Sequence, residues 1–562
     1  MTKDWVDIWT EEEVTALSHW DKKLIECARK GKPLRSHIKE EKNRPILSAR
    51  LIASLVTSQH NQNWNLHPKS LCIDGFRFTE RLDFDQRHIN NSLYFYNCSF
   101  EQQCQFIHGH YKTLFFDNCS FFKELNLIGS IISHGLYLSG SHLKNKNKIS
   151  NCIFADGLTI HGHAFLRNNF KSNGCIRLLN AKIEGNLDLD GAIISSGPNV
   201  DDITSLFADG LTIGGAIFLR NGFKASGIIR LPGATLSSNL EIDNAEISYN
   251  LNDDNKNCIE ADNISIDGSL FLRNNLSCKG HIHITNGTIK GDLEIWDAQI
   301  NGDLNLRNTR TNQRLVFKSV TCDSTSRISL NHAFSDVLQD DLKSWQGFKE
   351  IHLDGFEYNH LHRRASGRQQ ITWLQKMPEE KYFPQPYEQL AKVLKTDGHL
   401  RDARNVLVEK QKQLFKHGNV TWLHRVWLFF TRYLIAFGYR PWNVIPYILL
   451  IFILGENIFL QAHKNNYIVP ANPKVSMEMA KGKKTLEEIM PTYPTFIPLI
   501  YSVDSFLPFV ELDQEKYWMP DGKNTSGWGL ATRIYRWFHI AMGWFLSTLL
   551  VAGLAGLVKK DD

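Results

Sequence analysis

The pattern of hydrophobic positions changes along the chain and divides it into two parts. Between about residues 61 and 335, short apolar stretches are separated by Gly, Asn and Asp. After residue 417, the apolar stretches are longer and carry few charges. Short stretches of this kind are typical of β-strands, and long ones are typical of membrane-spanning helices. The chain therefore predicts a mixed fold, with a soluble β-rich part followed by a membrane part.

The β-rich part contains internal repeats. The stretch LYFYNCSF at residues 93–100 returns as LFFDNCSF at residues 114–121, a step of 21 residues. Further along, the motif FLRN begins at Phe165, Phe218 and Phe271, at steps of 53. Since 53 is twice 21 with 11 left over, we interpret each long unit as two 21-residue coils and an 11-residue excursion. Short strands at such a period predict a β-solenoid with its apolar side chains stacked inward.

Charged residues follow the same 21-residue step. Three arginines of the FLRN motifs each have an acid 21 residues further on, and the pairs are Arg167 with Asp188, Arg220 with Glu241, and Arg273 with Glu294. Three further basic residues have an acid 21 residues before them, namely Asp156 before Arg177, Asp209 before Arg230, and Asp262 before His283. Neighbouring strands lie about 4.8 Å apart, so such residues would be cross-strand partners. We interpret the arginines as a structural charge ladder, with phosphate binding as the alternative.

Two apolar spans in the last part of the chain flank a shorter apolar segment. The spans run from 444 to 462 and from 537 to 558, and at about 1.5 Å per residue each can cross about 30 Å of hydrocarbon. The segment between them, residues 496–510, is short and contains two prolines and Asp504. Irregular backbone at membrane depth needs a cover of protein or water. We therefore predict a re-entrant loop that lines a pore, with an interfacial extracytoplasmic segment as the alternative.

Basic residues predict the orientation in the membrane. Two lysines follow the second span, and a basic stretch from 401 to 440 precedes the first. Positively charged flanks remain in the cytoplasm. The N-terminal part and the C-terminus are therefore expected on the cytoplasmic side of the membrane. The aromatic run 422–439 carries Arg425 and Arg432 on one helical face, which favours a helix lying on the lipid surface over a third span.

Polar residues in the apolar segments are candidates for an ion path, because charge is costly in lipid. They are Glu456 in the first span, Ser502 and Asp504 in the re-entrant segment, and Glu511 and Asp513 just after it. In an oligomer of four chains, Asp504 and Glu511 would form carboxylate rings that favour cations. A helix-packing hydrogen bond is the alternative for Glu456. Simple exposure at the membrane surface is the alternative for Glu511 and Asp513.

The chain between the two parts, residues 336–416, is expected to form a linker and a helical hairpin that turns at Gly398. The first 60 residues are expected to form a helical cap.

A basic cluster without an acid precedes the hairpin and consists of Arg363, Arg364 and Arg368. Such a cluster suits an anion or a nucleic-acid phosphate. A solvated linker or a patch facing anionic lipid is the alternative.

Composition and motifs narrow the function classes further. The chain has 562 residues, a net charge of +5 and ten cysteines with no CxxC pair. We expect no disulfide framework, metal or cofactor. The sequence has no dinucleotide-binding glycine pattern, P-loop or HExxH motif, so we expect no enzyme activity. The first residues have no apolar core, so no cleaved signal peptide is expected.

Several motifs carry a resemblance to a known family. The stretches HPKSLCIDGFRFTERLDFD at 67–85, PYEQLAKVL at 386–394, GYRPW at 438–442 and YSVDSFLPF at 501–509 resemble bacterial pentapeptide-like repeat proteins that end in an ion-channel-like domain. The resemblance covers nearly the full chain and implies a cytosolic pentapeptide-like β-helix joined to a two-span pore domain in a bacterial inner membrane. No TVGYG or GYGD follows the pore segment. This departure from the potassium-channel pattern leaves a weakly selective cation pore.

The architecture is also similar to membrane effectors of bacterial antiphage systems of the Hailong type. That similarity implies a homotetrameric channel in membrane lipid, controlled by a single-stranded oligonucleotide or nucleotide bound on the cytosolic side. Opening of such a channel would depolarise an infected cell, as in abortive infection. The second hypothesis is a membrane-tethered scaffold whose solenoid docks a protein partner without ion conduction.

Overall fold

The computed structural model describes residues 9–57, 64, 66–144, 151–196, 203–249, 256–362, 367–379, 381–482, 485–523 and 527–556, with only the backbone described for 367–370. The chain divides into two units. The first consists of Met1–Glu379 and Gln385–Ala403, and the second of Glu380–Pro384 and Arg404–Asp562.

The first unit is a β-solenoid of about twelve turns, which confirms this part of the predicted fold class. One side of the solenoid is a 12-stranded parallel sheet to which each turn adds one short strand. Its strands are Leu82–Asp83, Cys104–Gln105, Leu125–Asn126, Asn151–Phe154, Cys175–Arg177, Thr204–Phe207, Ile228–Arg230, Asn257–Glu260, His281–His283, Leu304–Asn305, Arg327–Ser329 and Glu350–His352.

The remaining strands of the solenoid belong to a 29-stranded sheet that wraps around its other sides. In the first turns they are Leu34–Arg35, Leu71–Asp74, Arg77–Phe78, His88–Ile89, Leu93–Tyr96, Ser99–Phe100, His110–Asp117, Ser120–Phe121, Ile131–Tyr137, His142–Leu143, Thr159–Ile160, His163–Phe165, Lys171–Ser172, Lys182–Ile183 and Leu187–Asp188. In the later turns they are Ile193–Ser195, Thr212–Ile213, Ile217–Phe218, Lys224–Ser226, Thr235–Leu236, Leu240–Asp243, Glu246–Ser248, Ser265–Ile266, Leu270–Lys279, Thr288–Ile289, Leu293–Ile300, Arg310–Cys322, Phe334–Asp340 and Glu357–His362.

Stacked apolar side chains fill the solenoid. The rings of Phe78, Phe100 and Phe121 stack with centroids 5.0 and 4.9 Å apart, and all three are buried. Corner residues such as Asn97 and Asn118 have left-handed backbone conformations, with φ of 50° and 53°. Asparagine adopts this conformation more readily than most residues. The strand and corner preferences together explain why apolar stretches alternate with Asn and Gly in the sequence.

The length of the coils differs from the prediction. Leu93 pairs with Leu114 at the predicted step of 21. In the 53-residue units, however, Ile176 pairs with Leu206, 30 residues on, and Leu206 pairs with Ile229, 23 residues on. Each 53-residue repeat therefore consists of one coil of 23 residues and one coil of 30 residues. The predicted excursion belongs to the longer coil, and its residues 197–202 lie outside the described part of the chain.

The solenoid also continues past its predicted end at residue 335, because the strands Glu350–His352 and Glu357–His362 extend both sheets. Its last turns pack against a short helix, where the Phe317 and Trp345 ring centroids lie 4.7 Å apart. The Trp345 ring stacks in turn on Trp373 of the next helix at 4.8 Å. The helices of this end are α4 (Leu342–Gly347), α5 (Gly367–Leu374) and α6 (Gln385–Thr396).

Helices also cover the first turn. They are α1 (Glu11–Thr15), α2 (His19–Lys30) and α3 (Ala49–Thr57). The Trp20 ring of α2 lies edge-on to Phe76, with centroids 5.2 Å apart. The strand Leu34–Arg35 pairs in parallel with Leu71–Asp74. This cover protects the strand edge that would otherwise pair with another chain.

The second unit is mostly helical. Its helices are α7 (Leu400–His417), which begins at the boundary between the units, α8 (Trp422–Ile435), α9 (Ile445–Lys464), α10 (Pro473–Ala480), α11 (Leu486–Ile489), α12 (Pro498–Phe506), α13 (Gln514–Tyr517) and α14 (Gly527–Leu554). The short 3₁₀ segments Ala436–Gly438 and Pro441–Val444 lead into α9. The strands Ile468–Pro470 and Trp518–Pro520 form an antiparallel pair. Between α6 and α7 the chain turns at Gly398, which has a φ of 81°, and the hairpin itself remains a prediction.

Among the described residues, two helical segments are long and apolar enough to cross a membrane, Pro441–Lys464 and Gly527–Leu554. Only 22% and 33% of their most apolar windows are buried within the chain, so neither resembles the core helix of a soluble protein. The second segment begins ten residues before the predicted Trp537. The aromatic helix α8 also exposes most of its large side chains, including Trp422 and Trp427.

Candidate functional site in the C-terminal unit

The short helix α12 lies between the two candidate spans, in a seat formed by two glycines. A Cβ atom on Gly455 of α9 would lie 2.3 Å from the Ser502 hydroxyl oxygen. A Cβ atom on Gly543 of α14 would lie 1.9 Å from the carbonyl oxygen of Phe506. Such distances are far below van der Waals contact, so a side chain at either position would displace α12. Gly543 therefore lies in close contact with α12.

A buried histidine ties α12 to α14. The Nε2 atom of His539 lies 2.9 Å from the backbone carbonyl oxygen of Ser502, and because a carbonyl only accepts, Nε2 carries the proton and donates. The Tyr535 hydroxyl lies 3.4 Å from Nδ1 and can donate to it. The Ser502 hydroxyl donates to the carbonyl oxygen of Phe452 on α9 at 3.3 Å. Both polar side chains are therefore used in holding α12 between the spans.

The carboxylate of Asp504 holds the loop that follows α12. Its Oδ1 accepts the backbone N–H of Leu512 at 2.7 Å, and its Oδ2 accepts the backbone N–H of Glu515 at 2.8 Å. The residue is 9% exposed. Charge-assisted bonds of this kind are among the stronger hydrogen bonds in proteins. Within one chain, Asp504 thus acts as a clamp on residues 507–515.

The two acids after α12 lie at the surface of the chain and share one cation. The Lys516 Nζ atom is 3.3 Å from Glu511 Oε2 and 2.8 Å from Asp513 Oδ1. The Glu511 and Asp513 side chains are 83% and 61% exposed. Hydrogen bonds to Asp513 and Glu511 raise the pKa of the Lys516 ammonium above its ordinary value. The exposed loop therefore carries two carboxylates and one ammonium.

The residues just before α12 and those after it are held together by hydrogen bonds. The Gln514 side chain accepts the N–H of Ile497 at 3.1 Å and donates to the carbonyl oxygen of Thr495 at 3.1 Å. Arg536 of α14 forms an ion pair with Glu515 just after the loop. The chain that follows α12 thus returns to the residues just before the helix. Glu456, the remaining candidate, is half-buried on α9 next to Gly455.

The predicted anion-binding cluster lies outside the part of the chain whose side chains the structure describes. Arg363 and Arg364 fall in the gap at 363–366. Arg368 belongs to α5, where only its backbone is described. Its binding role remains a prediction. Among the described residues, no group of three His, Cys, Asp or Glu side chains could hold a metal ion.

The structure brings each arginine of the charge ladder beside its expected acid. The distances from Nη1 to the carboxylate oxygen are 2.9 Å for Arg167–Asp188, 2.8 Å for Arg220–Glu241 and 2.6 Å for Arg273–Glu294. Two similar contacts are Arg177–Asp156 and Arg230–Asp209, both at 2.7 Å. The sixth expected pair is absent: the Asp262 carboxylate instead accepts the N–H and hydroxyl of Thr285 at 3.1 and 2.5 Å.

The three FLRN pairs are diagonal rather than directly opposite. The sheet register places Glu241 opposite Phe218, and the Arg220 guanidinium crosses the Phe218 ring at 4.0 Å to reach it. The guanidinium also lies 2.9 Å from Asp190 on the preceding turn. Hydrogen bonds to Asp190 and Glu241 raise the pKa of the Arg220 guanidinium above its ordinary value. With two acids around it, this arginine is poorly placed to bind a phosphate.

Sequence reasoning missed the residues that hold α12 in place. His539 could have been noticed as a histidine inside an apolar span, since such residues are rare in lipid. Nothing in the local sequence of Gln514 or Gly455 indicates their contacts. No family model, curated protein or solved structure matches the chain. The class that can be stated is a β-solenoid protein with two helices able to span a membrane.

Proposed function

We propose that the protein is an oligomeric ion channel whose pore is lined by the re-entrant segment around α12. The observation that carries the proposal is the seat of α12, a helix of nine residues held between two candidate spans by Gly455, Gly543 and His539. A helix this short cannot cross a membrane alone. Its backbone is satisfied at membrane depth only by protein or by a water-filled path, and copies around an axis would supply such a path.

The loop after α12 suits the weakly cation-selective pore that we propose. In a ring of chains, Glu511 and Asp513 would face Lys516 in each copy, which leaves an excess of carboxylates. Rings of carboxylates favour cations, and the shared ammonium reduces that preference. Asp504 would act from behind the pore by holding the loop in shape.

We further propose that a nucleotide or oligonucleotide on the cytosolic side controls the gate, in antiphage defence by membrane depolarisation. This step is supported by the resemblance to Hailong-type effectors alone. A ligand shifts a closed–open equilibrium only by its difference in affinity for the two states, and a change from 1:99 to 99:1 needs about 5.5 kcal/mol. Binding at several equivalent chains would supply that difference more readily than binding at one.

Ion flux from liposomes containing the purified full chain tests the proposal. We expect cation flux that changes when short single-stranded DNA is added. The Gly522→Ala protein is the matched control for Gly543→Ala, because a Cβ at Gly522 meets open space. Flux should survive the first substitution and fall with the second. Silent liposomes, with protein shown to be folded and oligomeric, would refute the channel.

A membrane-tethered scaffold is the second candidate, and the geometry of Asp504 favours it. Both oxygens of the carboxylate are occupied by backbone N–H groups of the same chain, so the residue already has a structural role. In that case α12 would only brace the two spans, and the solenoid would dock a protein partner. Recovery of a stoichiometric partner from cells, together with silent liposomes, would establish it.

A further inference from the structure

A row of half-buried aromatic rings runs along the outside of the first solenoid turns. The register places Tyr94, Phe115, Tyr137 and Phe165 side by side on successive turns. Their centroids are 5.5, 5.0 and 5.3 Å apart. Residues on either side of each ring in its strand point into the core, so the rings face outward. Tyr96 adds a second ring on the first of these turns.

At its first turn this row becomes a three-sided aromatic recess. The Tyr94 and Tyr96 rings are nearly parallel, with an angle of 7° between their planes and 6.5 Å between their centroids. Phe115 lies next to both, at 5.5 and 5.2 Å. The two tyrosines thus present nearly parallel ring faces, and nucleic-acid bases stack on aromatic side chains. The recess therefore suits a flat aromatic ring.

The recess opens into a cavity of about 520 Å³ between the helical cap and the first turns. Sites for small molecules usually have volumes of roughly 300–1,000 Å³. Besides the tyrosines, three cations line the cavity, Lys32, Arg35 and Lys69. Among the described residues that line it, the single carboxylate is that of Asp74, which lies 3.8 Å from Arg35. Positive charge thus predominates beside the aromatic recess.

The two lysines of the cavity are available to a ligand. Within the described residues, neither the Lys32 nor the Lys69 ammonium has a carboxylate within 4.0 Å, whereas Asp74 accepts a hydrogen bond from Asn97 at 2.8 Å. Free cations in a concave site attract phosphate more strongly than cations already paired with acids.

The backbone of the cavity wall is strained. Ser70 has a φ of 122°, a value that L-residues other than glycine rarely adopt. It stands between Lys69 and the strand Leu71–Asp74. Strained residues persist where the surrounding structure demands them, and they cluster at binding sites.

We propose that this cavity binds a nucleotide, with its base against Tyr94, Tyr96 and Phe115 and its phosphates at Lys32, Arg35 and Lys69. The nucleotide can be free or the end of an oligonucleotide, since both present a flat base and phosphate. The inference rests on the proposed function in one respect, because it locates on the solenoid the cytosolic ligand that would control the gate.

Titration calorimetry of the full chain in lipid nanodiscs tests the site with four probes: ATP, adenosine, pyrophosphate and short single-stranded DNA. We expect ATP or the DNA to bind, and the tighter of the two identifies the source of the nucleotide. Adenosine and pyrophosphate should each bind at least about tenfold more weakly. Adenosine keeps only the contacts of the base, and pyrophosphate keeps only those of the phosphates. Absence of binding by both ATP and DNA at millimolar concentration would overturn the proposal.

Matched variants locate the binding. Tyr94→Leu and Lys69→Glu should each weaken binding by about tenfold or more. Tyr137→Leu, in the same aromatic row, and Lys112→Glu, on the exposed side of a nearby strand, lie outside the cavity and should bind as the wild type does. Equal losses in the controls would overturn the site. If Tyr94→Leu fails to fold, the exposed Lys69→Glu decides.

The two proposals fail in different ways. Nucleotide binding by protein whose liposomes are silent would keep the cavity and refute the channel. Flux that persists in protein that binds neither ATP nor DNA would keep the channel and refute the cavity.

Discussion

Replacing Asp504 by asparagine separates a structural clamp from a pore-facing charge. The carboxylate accepts two backbone N–H groups, from Leu512 and Glu515, at 2.7 and 2.8 Å. An asparagine has one oxygen and one NH₂ group, so it keeps one bond and places a donor against the other N–H. Hydrogen bonds to charged groups contribute about 1.5–3 kcal/mol each. We therefore expect the loop to lose about 2–3 kcal/mol of stability in Asp504→Asn.

Amide hydrogen exchange measures this loss directly. In native proteins the exchange rate of a protected amide follows the population of the open state. A loss of about 2–3 kcal/mol raises that population by roughly 30-fold to 150-fold. We expect this increase for the amides of Leu512 and Glu515 in protein held in lipid nanodiscs. Asp513→Asn is the control, because the Asp513 side chain is 61% exposed and its described ion pair is with Lys516.

The reasoning would be refuted by unchanged exchange at residues 510–516 in Asp504→Asn together with a changed preference for cations. That result would mean that the carboxylate faces the ion path in the assembled protein. If the proposed channel is right, ion flux should instead fall for all ions alike, because a loosened loop would deform the proposed pore without changing its charge.

Three further predictions concern both units. Arg220→Glu should lower the midpoint of thermal unfolding, since it places three acids together, and adding Glu241→Arg should restore part of the loss; no restoration would show that the pair does not interact. Burial tends to raise the pKa of Asp292, but hydrogen bonds and attraction to Arg314 outweigh burial and lower this pKa. The stability that the carboxylate contributes should therefore be present above pH 3.8 and lost as the pH falls through its lower folded pKa. Asp292→Asn should remove that part of the acid sensitivity, measured by thermal melts at a series of pH values. Gly543→Ala should increase the rate at which a protease cleaves the C-terminal unit, and Gly522→Ala should leave that rate unchanged. Equal cleavage rates for the two variants would contradict the close packing of α12.

The solenoid and the spans could be predicted because both are local periodic properties. Stacking requires every turn to repeat its apolar positions, so the steps of 21 and 53 are visible in the letters themselves. The division of 53 into 23 and 30 was not visible. It depends on which strands pair, and an added loop changes the length of one coil without changing the period of the unit.

The acid partners of the arginines were found for a reason that the structure makes clear. Side chains on one face of a sheet also meet diagonal neighbours two positions away. Arg220 is therefore two residues past Phe218, the residue directly opposite Glu241, and the 23-residue register becomes a 21-residue charge step. The last turns were missed because they lack the FLRN motif that identified the repeat.

The seat of α12 could not be predicted because it depends on which faces of three apolar helices meet. Periodicity identifies the buried face of a helix only when polar and apolar residues lie on different faces, and α9 and α14 are apolar almost all round.

Both α9 and α14 leave much of their apolar surface uncovered within one chain. With 22% and 33% of their apolar windows buried in one chain, most of both helices must be covered by something else, and in water this cost would fall on the C-terminal unit alone. Lipid and further copies of the chain are the covers that membrane helices use. A chain isolated in water is therefore the wrong state in which to look for flux, and the liposome and nanodisc experiments are the ones that can decide its function.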